Sequence, residues 1–155
     1  MNLIIRGSRS QRPWFHFPWS AGNAAHEWRI HLNPAISMDL LAKSGGGNVK
    51  LDLAGTTLTS ISAVTGGGNI DVILPDILTD LNADINTGAG NVTIQLPCGS
   101  EARVHASSGL GKVIVDPRFK KIAEKTYQSD GYDNAALKVA IEATSGAGNV
   151  TISTR

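Results

Sequence analysis

The sequence predicts an all-β domain, a right-handed parallel β-solenoid (β-helix-like) of about five coils of 21–22 residues. We expect this stack of coils to carry an aromatic N-terminal cap and one loop insertion. Three observations predict the fold: a glycine-rich segment recurs along the chain, apolar and polar residues alternate around each copy, and glycine concentrates in the copies. The right-handed sense is that of nearly all parallel crossovers.

The glycine-rich segment occurs five times. The intervals between the copies are 21, 22, 21 and 37 residues. The last interval equals one repeat plus about sixteen residues, which we expect to form a loop on one edge of the stack. The copies are SGGGNVKLDL from Ser44, TGGGNIDVILP from Thr65, TGAGNVTIQLP from Thr87, SGLGKVIVDP from Ser108 and SGAGNVTIS from Ser145.

Apolar residues alternate with polar residues on both sides of every copy. The candidate inward positions lie three, five and seven residues before the first glycine of each copy and four, six and eight residues after it. Of these 30 positions, 27 are Ala, Val, Ile, Leu or Met, and the exceptions are Thr59, Pro117 and Thr154. Because successive side chains of a strand point to opposite faces, this period of two predicts strands with one buried face.

Each glycine pair predicts a sharp corner in the chain, because glycine adopts positive φ without a Cβ clash. A Ser or Thr precedes every corner, and an Asn follows it in four copies, with Lys112 as the exception. Hydroxyls and amides that recur at one place can form hydrogen-bonded ladders, which favours stacking of the corners. The predicted corner residues are Gly45, Gly47, Asn48, Gly66, Gly68, Asn69, Gly88, Gly90, Asn91, Gly109, Gly111, Gly146, Gly148 and Asn149.

A second architecture is compatible with the same pattern. Glycine-containing segments of three to five residues between alternating runs also signal β-hairpins, which could build a sandwich or a meander. Hairpins, however, do not require the same corner at a nearly constant interval. In a solenoid each coil buries its apolar side only against its neighbours, so the corners must fall in register.

We interpret residues 1–155 as a single domain with four parts. Residues 1–37 form an N-terminal cap and first coil, and residues 38–117 form the regular coils. Residues 118–135 form the loop insertion, in which the helical spacing of Phe119, Ile122 and Ala123 indicates a single helical turn or an ordered loop. Residues 136–155 form the last coil. Because binding residues often gather in projecting loops, the insertion is one candidate for interaction.

An aromatic segment is the other candidate. Residues 1–37 contain all three tryptophans and no good copy of the corner. One interpretation is a hydrophobic lid, because the end of a solenoid exposes apolar faces and strand edges unless it is capped. The alternative is an exposed patch for a sugar, a lipid headgroup region or a protein partner. The candidate patch consists of Trp14, Phe15, Phe17, Trp19 and Trp28.

No active site is predicted, and we expect no catalytic residue, no metal and no cofactor. The four histidines, His16, His26, His31 and His105, lack the spacing of metal ligands. The sequence also shows no Ser/His/Asp order and no pair of acidic residues suited to acid and base catalysis.

Charge and hydropathy argue against nucleic acid as a partner and against a membrane span within these residues. A net charge of +1, without a long run of Lys or Arg, argues against nucleic acid. The apolar run Leu3, Ile4 and Ile5 is too short for a signal peptide or a membrane span. As given, the chain is expected to be soluble, and a membrane anchor is expected only in a segment outside these residues.

Three runs of sequence resemble a known family. WRIHLNPAISMDLLAKSGGGNVKLDLAG, LTSISAVTGGGNIDVILP and YDNAALKVAIEATSGAGNVTIS, within residues 28–155, resemble the toast-rack β-solenoid domains. This family includes the C-terminal domains of LiaF-like cell-envelope stress proteins and related adhesin-type domains. The resemblance implies a non-enzymatic domain that sits beside membrane-spanning segments in bacterial envelope or stress-response proteins. It implies no catalytic or ligand residues.

Three functional hypotheses follow. The first is a non-catalytic interaction or scaffold domain of a cell-envelope or stress-response protein, which binds a protein partner. The second is a self-assembling structural β-helix, which forms filaments through the ends of the solenoid. The third is a surface adhesin or carbohydrate-binding module that uses the aromatic patch.

Overall fold

The structure, a computed structural model, describes residues 2–7, 36–76 and 80–155. Apart from a short 3₁₀ helix, Tyr132–Asn134, the regular structure of these residues is β. The strands are β1 (Asn2–Gly7), β2 (Met38–Ser44), β3 (Val49–Asp52), β4 (Leu58–Thr65), β5 (Ile70–Ile73), β6 (Leu81–Ala89), β7 (Val92–Leu96), β8 (Ala102–Leu110), β9 (Val113–Val115), β10 (Phe119–Ala123), β11 (Thr126–Ser129), β12 (Val139–Ala147) and β13 (Val150–Thr154).

The strands form two sheets. The large sheet has eight strands in the order β1-β2-β4-β6-β12-β8-β11-β10, and the small sheet has five in the order β3-β5-β7-β13-β9. All neighbouring strands are parallel except at the end of the large sheet, where β8, β11 and β10 are antiparallel. The chain is therefore all-β with parallel sheets, like a β-solenoid.

Each predicted corner joins a strand of the large sheet to a strand of the small sheet. We call each of these units a corner pair; in chain order they are β2/β3, β4/β5, β6/β7, β8/β9 and β12/β13. The two strands of a corner pair belong to different sheets and are not hydrogen-bonded to each other as neighbours. The hairpin interpretation of the corners is therefore wrong.

The corner pairs do not stack in chain order. The last corner pair, β12/β13, lies between β6/β7 and β8/β9 in both sheets. Strand β12 pairs with β6 on one side and with β8 on the other, and β13 pairs likewise with β7 and β9. The chain thus leaves a gap after its third corner pair and fills that gap with its last one.

Alternate residues of the stacked strands form one core. Of the 27 apolar positions predicted to face inward, all are buried except four that are partly buried: Val49, Leu51, Val113 and Val115. These four lie on β3 and β9, which have neighbours on one side only in the small sheet. A strand at the end of a stack buries less surface than one between two neighbours, and this accounts for the difference.

A β-bulge explains the exception at Thr59. Met38 pairs with Leu58 and Asp39 pairs with Ser60, so Thr59 has no partner residue opposite it in β2. A bulge adds one residue to a strand. As a result Leu58 is fully buried at 0% exposure in the inward position, whereas Thr59 is exposed. Its hydroxyl donates a hydrogen bond to Asp39 Oδ1 at 2.7 Å.

Residues 118–135 differ from the predicted loop. They contain β10 and β11, an antiparallel hairpin whose strand β11 pairs with β8, followed by the 3₁₀ helix. Phe119, which the sequence pattern assigns to helical spacing, is buried in the core at 5% exposure. Phe119 lies on β10, which pairs with β11, and β11 pairs in turn with the end strand β8. These pairings supply hydrogen bonds that favour strands over a helix in this segment.

Candidate interaction surfaces

The row of corners is held together at the backbone. In each inner corner pair, the N–H of the last glycine donates to the carbonyl of the middle corner residue of the next pair, at 2.7 Å from Gly68 to Ala89 and from Gly90 to Ala147. These contacts leave no room for side chains. A Cβ on Gly88 would lie 2.5 Å from the carbonyl oxygen of Gly66, and one on Gly90 would lie 2.2 Å from that of Gly68.

The middle position of the corner has a different environment. A Cβ on Gly67 meets no atom within 4 Å, and other corner pairs have Ala89, Ala147 and Leu110 at this position. In every corner pair except β2/β3, where a Cβ on Gly45 or Gly47 meets no atom within 4 Å, stacking therefore requires glycine at the first and last corner positions and leaves the middle position open to side chains.

The Ser and Thr residues that precede the corners are in register and point inward. Thr65, Thr87 and Ser145 are buried. The hydroxyl of Thr87 donates to the carbonyl of Gly68 at 3.0 Å, and that of Ser145 donates to Gly90 at 2.8 Å. Each buried hydroxyl thus satisfies a corner carbonyl of the preceding pair, as buried polar groups require.

The Asn residues that follow the corners form a ladder on the exposed side. The side-chain oxygen of Asn48 accepts from the backbone N–H of Asn69, that of Asn69 from Asn91, and that of Asn91 from Asn149, at 2.8 to 2.9 Å. The last step runs from Asn149 Oδ1 to the backbone N–H of Lys112, at 2.9 Å. Lys112 ends the ladder because β8/β9 is the last corner pair of the stack, where no further N–H needs an acceptor.

A groove of about 540 Å³ crosses the outer face of the large sheet. Its floor includes a row of residues in register across neighbouring strands: Ser62, Asp84, Glu142, His105 and Thr126. Asp84, Glu142 and His105 are exposed. No acid pair is visible in the sequence because Asp84 and Glu142 become neighbours only through the insertion of β12 beside β6.

The chemistry of this groove is that of a solvated polar surface. His105 Nδ1 lies 3.2 Å from Thr126 Oγ1, and the side-chain amide of Asn86 donates to Asp84. Both carboxylates are exposed to water. Within the described part of the chain, no group of three His, Cys, Asp or Glu side chains is arranged to hold a metal ion.

A second cluster links the hairpin region to the large sheet. Tyr132 is almost buried, with the Arg103 guanidinium 4.6 Å and the Lys138 ammonium 5.4 Å from its ring centre. Arg103 also lies 3.4 Å from Asp133, which accepts from Gln128 at 3.0 Å. These contacts fix the 3₁₀ helix to β8 and β11, so the segment expected to be a projecting loop is tied down.

Asp116 connects the end of β9 to the last strand. Its Oδ2 accepts from the Thr154 hydroxyl at 2.6 Å and from the Thr154 backbone N–H at 3.2 Å, and its Oδ1 accepts from the Arg118 N–H at 3.0 Å. The hydrogen bond from the Thr154 hydroxyl, followed by that from the Arg118 backbone, lowers the pKa of Asp116 below its ordinary value.

The predicted aromatic patch, Trp14, Phe15, Phe17, Trp19 and Trp28, lies outside the described residues, as do His16, His26 and His31. The other candidate residues, those of the corners, lie in the row described above. In the parts of the chain that the structure covers, no helix has the length and hydropathy needed to span a bilayer.

The fold and its surfaces define a class: a stacked parallel β protein of the solenoid type, whose recurrent residues build corners and core. Residues 5–95 match the family model described as the N-terminal domain of toast_rack, DUF2154. The chain therefore belongs to the toast-rack family, as the sequence resemblance implied.

A solved structure has the same fold. The crystal structure of a "putative cell adhesion protein" from Clostridium sporogenes ATCC 15579 aligns with a TM-score of 0.82 and 24% sequence identity, and the alignment covers 94% of this chain and 68% of that one. A comparison with curated proteins gave no match.

Proposed function

We propose that this chain is a non-catalytic interaction or scaffold domain of a bacterial cell-envelope or stress-response protein. The observation that carries the proposal is the use of the recurrent residues: glycines, hydroxyls, amides and inward apolar side chains are all engaged in corners or core. The remaining polar residues lie on open, solvated sheet faces. Such faces are more typical of a surface that binds a protein partner than of an enclosed active site. Membership of the toast-rack family supports the same function.

We further propose the finer architecture. The corner pairs β2/β3, β4/β5 and β6/β7 would belong to successive coils of 21–22 residues wound in the right-handed sense, whereas β12/β13 returns into the gap beside β6/β7 and does not continue this winding. Residues 1–37 would cap the end at β2/β3, where β1 already extends the large sheet. A membrane attachment through a segment outside these 155 residues would place the stack beside the bilayer.

Site-specific photo-crosslinking tests the interaction. A photoreactive amino acid would replace Ser62 in the large-sheet groove, or Thr93 on the outer face of the small sheet, in the protein expressed in its native host under cell-wall stress. We expect one face to crosslink repeatedly to a defined envelope protein and the other face not to. Equal, unselective labelling from both faces would contradict a specific partner surface.

Removal of the acidic pair tests the absence of catalysis. The double variant Asp84→Asn, Glu142→Gln keeps the shape of the groove and removes its carboxylates. We expect neither the wild type nor this variant to hydrolyse chromogenic glycosides or esters. Hydrolysis by the wild type that the double variant lost would show a catalytic pair and overturn the proposal.

Adhesion is a second candidate, supported by the description of the Clostridium sporogenes protein. The aromatic patch would then supply stacking surfaces for sugars. Glycan-array binding of the Trp14→Ala and Trp19→Ala variants tests it: the candidate requires glycan binding that both substitutions weaken.

Filament formation is a third candidate, supported by the unpaired outer edges of β3 and β9 in the described small sheet. Against it, Lys112 has no amide to continue the Asn ladder, and the hairpin covers β8. Sedimentation and electron microscopy over a range of concentrations would detect such filaments.

A further inference from the structure

The two sheets end differently at the last corner pair, β8/β9. Beyond β8 the large sheet continues into the hairpin strands β11 and β10, whereas the small sheet ends at β9. In the described residues, β9 has one neighbouring strand, β13. At this end of the stack, the outer edge of β9 is thus free, whereas the outer edge of β8 is covered by β11.

The backbone groups on this edge can be assigned. The carbonyl of Lys112 accepts from the N–H of Val150, and the N–H of Asp116 donates to the carbonyl of Ile152, both at 2.9 Å. In a parallel pair, alternate residues direct both backbone groups to the same neighbour. Residues 112, 114 and 116 therefore face β13, and Val113 and Val115 point their N–H and C=O groups to the free edge.

Two exposed side chains of this corner pair are more apolar than the residues at the same positions of the other copies. Ile114 is 52% exposed, at the outward position that is polar in every other copy: Lys50, Asp71, Thr93 and Thr151. Leu110 is 78% exposed at the middle corner position, where the other copies have Gly or Ala. Natural edge strands discourage pairing by being very short or by carrying charges, prolines or bulges. Strand β9 is short, with three residues, but Val113–Val115 carries no charge, proline or bulge.

We propose that the free edge of β9 is a binding site for an extended peptide segment of a partner protein, which adds as a further strand to the small sheet. The inference rests on the proposed interaction function and names the surface and the chemistry of the partner. Strand addition supplies main-chain hydrogen bonds for affinity and uses alternate side chains for specificity.

Charge and register define the peptide. The added strand runs antiparallel, as the hairpin strand β11 does against β8 at the same end of the stack. Its residues opposite Val113 and Val115 exchange backbone hydrogen bonds, and the residue between them packs beside Ile114. Lys112 is exposed and forms no ion pair within the described part of the chain, so it favours an acidic residue two positions after the one beside Ile114.

A labelled peptide tests the site directly. The probe is a fluorescein-labelled peptide of about ten residues, with three central valines followed by a glutamate and flanked by threonine and lysine. We expect saturable binding by fluorescence anisotropy. N-methylation of the two outer valines removes the N–H groups that face β9 and should weaken binding at least about tenfold. The matched peptide, methylated on the central valine, whose N–H points away, should bind like the parent.

Variants of the protein give the complementary test. Val115→Pro removes one N–H of the free edge without removing a bond to β13, and proline is tolerated at such positions. Ile114→Lys places a charge where Lys50 stands in the first copy. Both should weaken binding at least about tenfold with the circular dichroism spectrum retained. Leu137→Lys, at another exposed apolar residue with 46% exposure, is the control and should bind normally.

Three outcomes would overturn the inference. They are binding unaffected by either edge variant, equal binding of all the methylated peptides, and no binding of the probe. Concentration-dependent dimerisation without peptide, abolished by Ile114→Lys, would assign the edge to a second copy of this chain instead. None of these results affects the crosslinking test of the scaffold function, so the two proposals fail separately.

Discussion

Alanine substitutions along the corner row separate two demands on glycine, close packing and backbone conformation. Gly67→Ala places a Cβ in open space at an ordinary φ, so the restriction of the unfolded chain should stabilise the protein by about 0.4–1 kcal/mol. Gly88→Ala also has an ordinary φ, but its Cβ would lie 2.5 Å from the Gly66 carbonyl oxygen. Gly90→Ala adds a φ of +138° to an even shorter contact of 2.2 Å.

The expected losses follow from these contacts. An ordinary contact begins near 3.4 Å, so Gly88→Ala must push neighbouring corner pairs apart by about 0.9 Å. Overpacking costs about 1–3 kcal/mol, and weakening a ladder hydrogen bond costs about 1 kcal/mol more, so we expect a loss of about 2–4 kcal/mol. Gly90→Ala should lower the free energy of unfolding by about 1–3 kcal/mol more, because alanine is strained in this backbone conformation.

Urea denaturation followed by far-ultraviolet circular dichroism measures these free energies of unfolding. The Gly88→Ala loss corresponds to a melting temperature lower by about 5–15 °C in a domain of this size. The order of stability should be Gly67→Ala, wild type, Gly88→Ala, Gly90→Ala. If Gly88→Ala were as stable as Gly67→Ala, the corners would not be stacked at the distances described, and the reasoning would fail.

Three further predictions concern the core, the Asn ladder and the acid stability. Ile94→Asp buries a carboxylate at a site with 0% exposure, at a cost of several kcal/mol against a total of about 5–15, so circular dichroism should show an unfolded chain. Asn91→Ala leaves the backbone N–H of Asn149 without its acceptor and should cost about 1 kcal/mol in urea denaturation. Asp116 contributes stability that is complete above its unfolded pKa of 3.8 and is lost as the pH falls through its lowered native pKa. Asp116→Asn should therefore flatten the acid side of the stability curve.

Each of these predictions has a matched control. Gln95→Asp, beside Ile94 but on the outward face, should leave the fold intact, and an Ile94→Asp protein with a normal melting curve would contradict the assigned register. Lys112→Ala should not change stability through the ladder, since Lys112 takes part through its backbone N–H. An acid limb that is unchanged in Asp116→Asn would mean that other carboxyls govern acid unfolding.

The repeating features of the fold could be predicted because they are encoded locally. Alternation identified the inward residues, and the Gly-x-Gly units marked each corner. The Thr59 exception required the structure, since a bulge shifts the register by one residue and moves Leu58 inward. The hairpin of residues 118–135 was also missed, because Phe119 and Ile122 fit helical spacing and the pairing with β8 is not visible in the sequence.

The order of the corner pairs could not be derived from the repeat itself. Corner pairs with the same residue pattern can stack on one another in any order. The repeat pattern alone therefore does not show whether β12/β13 or β8/β9 lies at the end of the stack. One signal was present: Lys112 breaks the Asn pattern in the fourth copy, as expected for the last step of a ladder. The polar row of Asp84, Glu142 and His105 depends on this order and was therefore missed.

The placement of β12/β13 affects how the protein is completed during synthesis. The segments up to β9 can leave the ribosome with their strands formed, but β6 and β8 then lack β12, the strand that lies between them in the native sheet. Residues after 138 must emerge before the interior closes, so nascent chains expose apolar faces on both sides of the gap until β12 and β13 have been synthesised. We expect slow folding and an early dependence on chaperones, because the contacts that close the core, those of β12 and β13 with β6 and β7, join segments far apart in the chain.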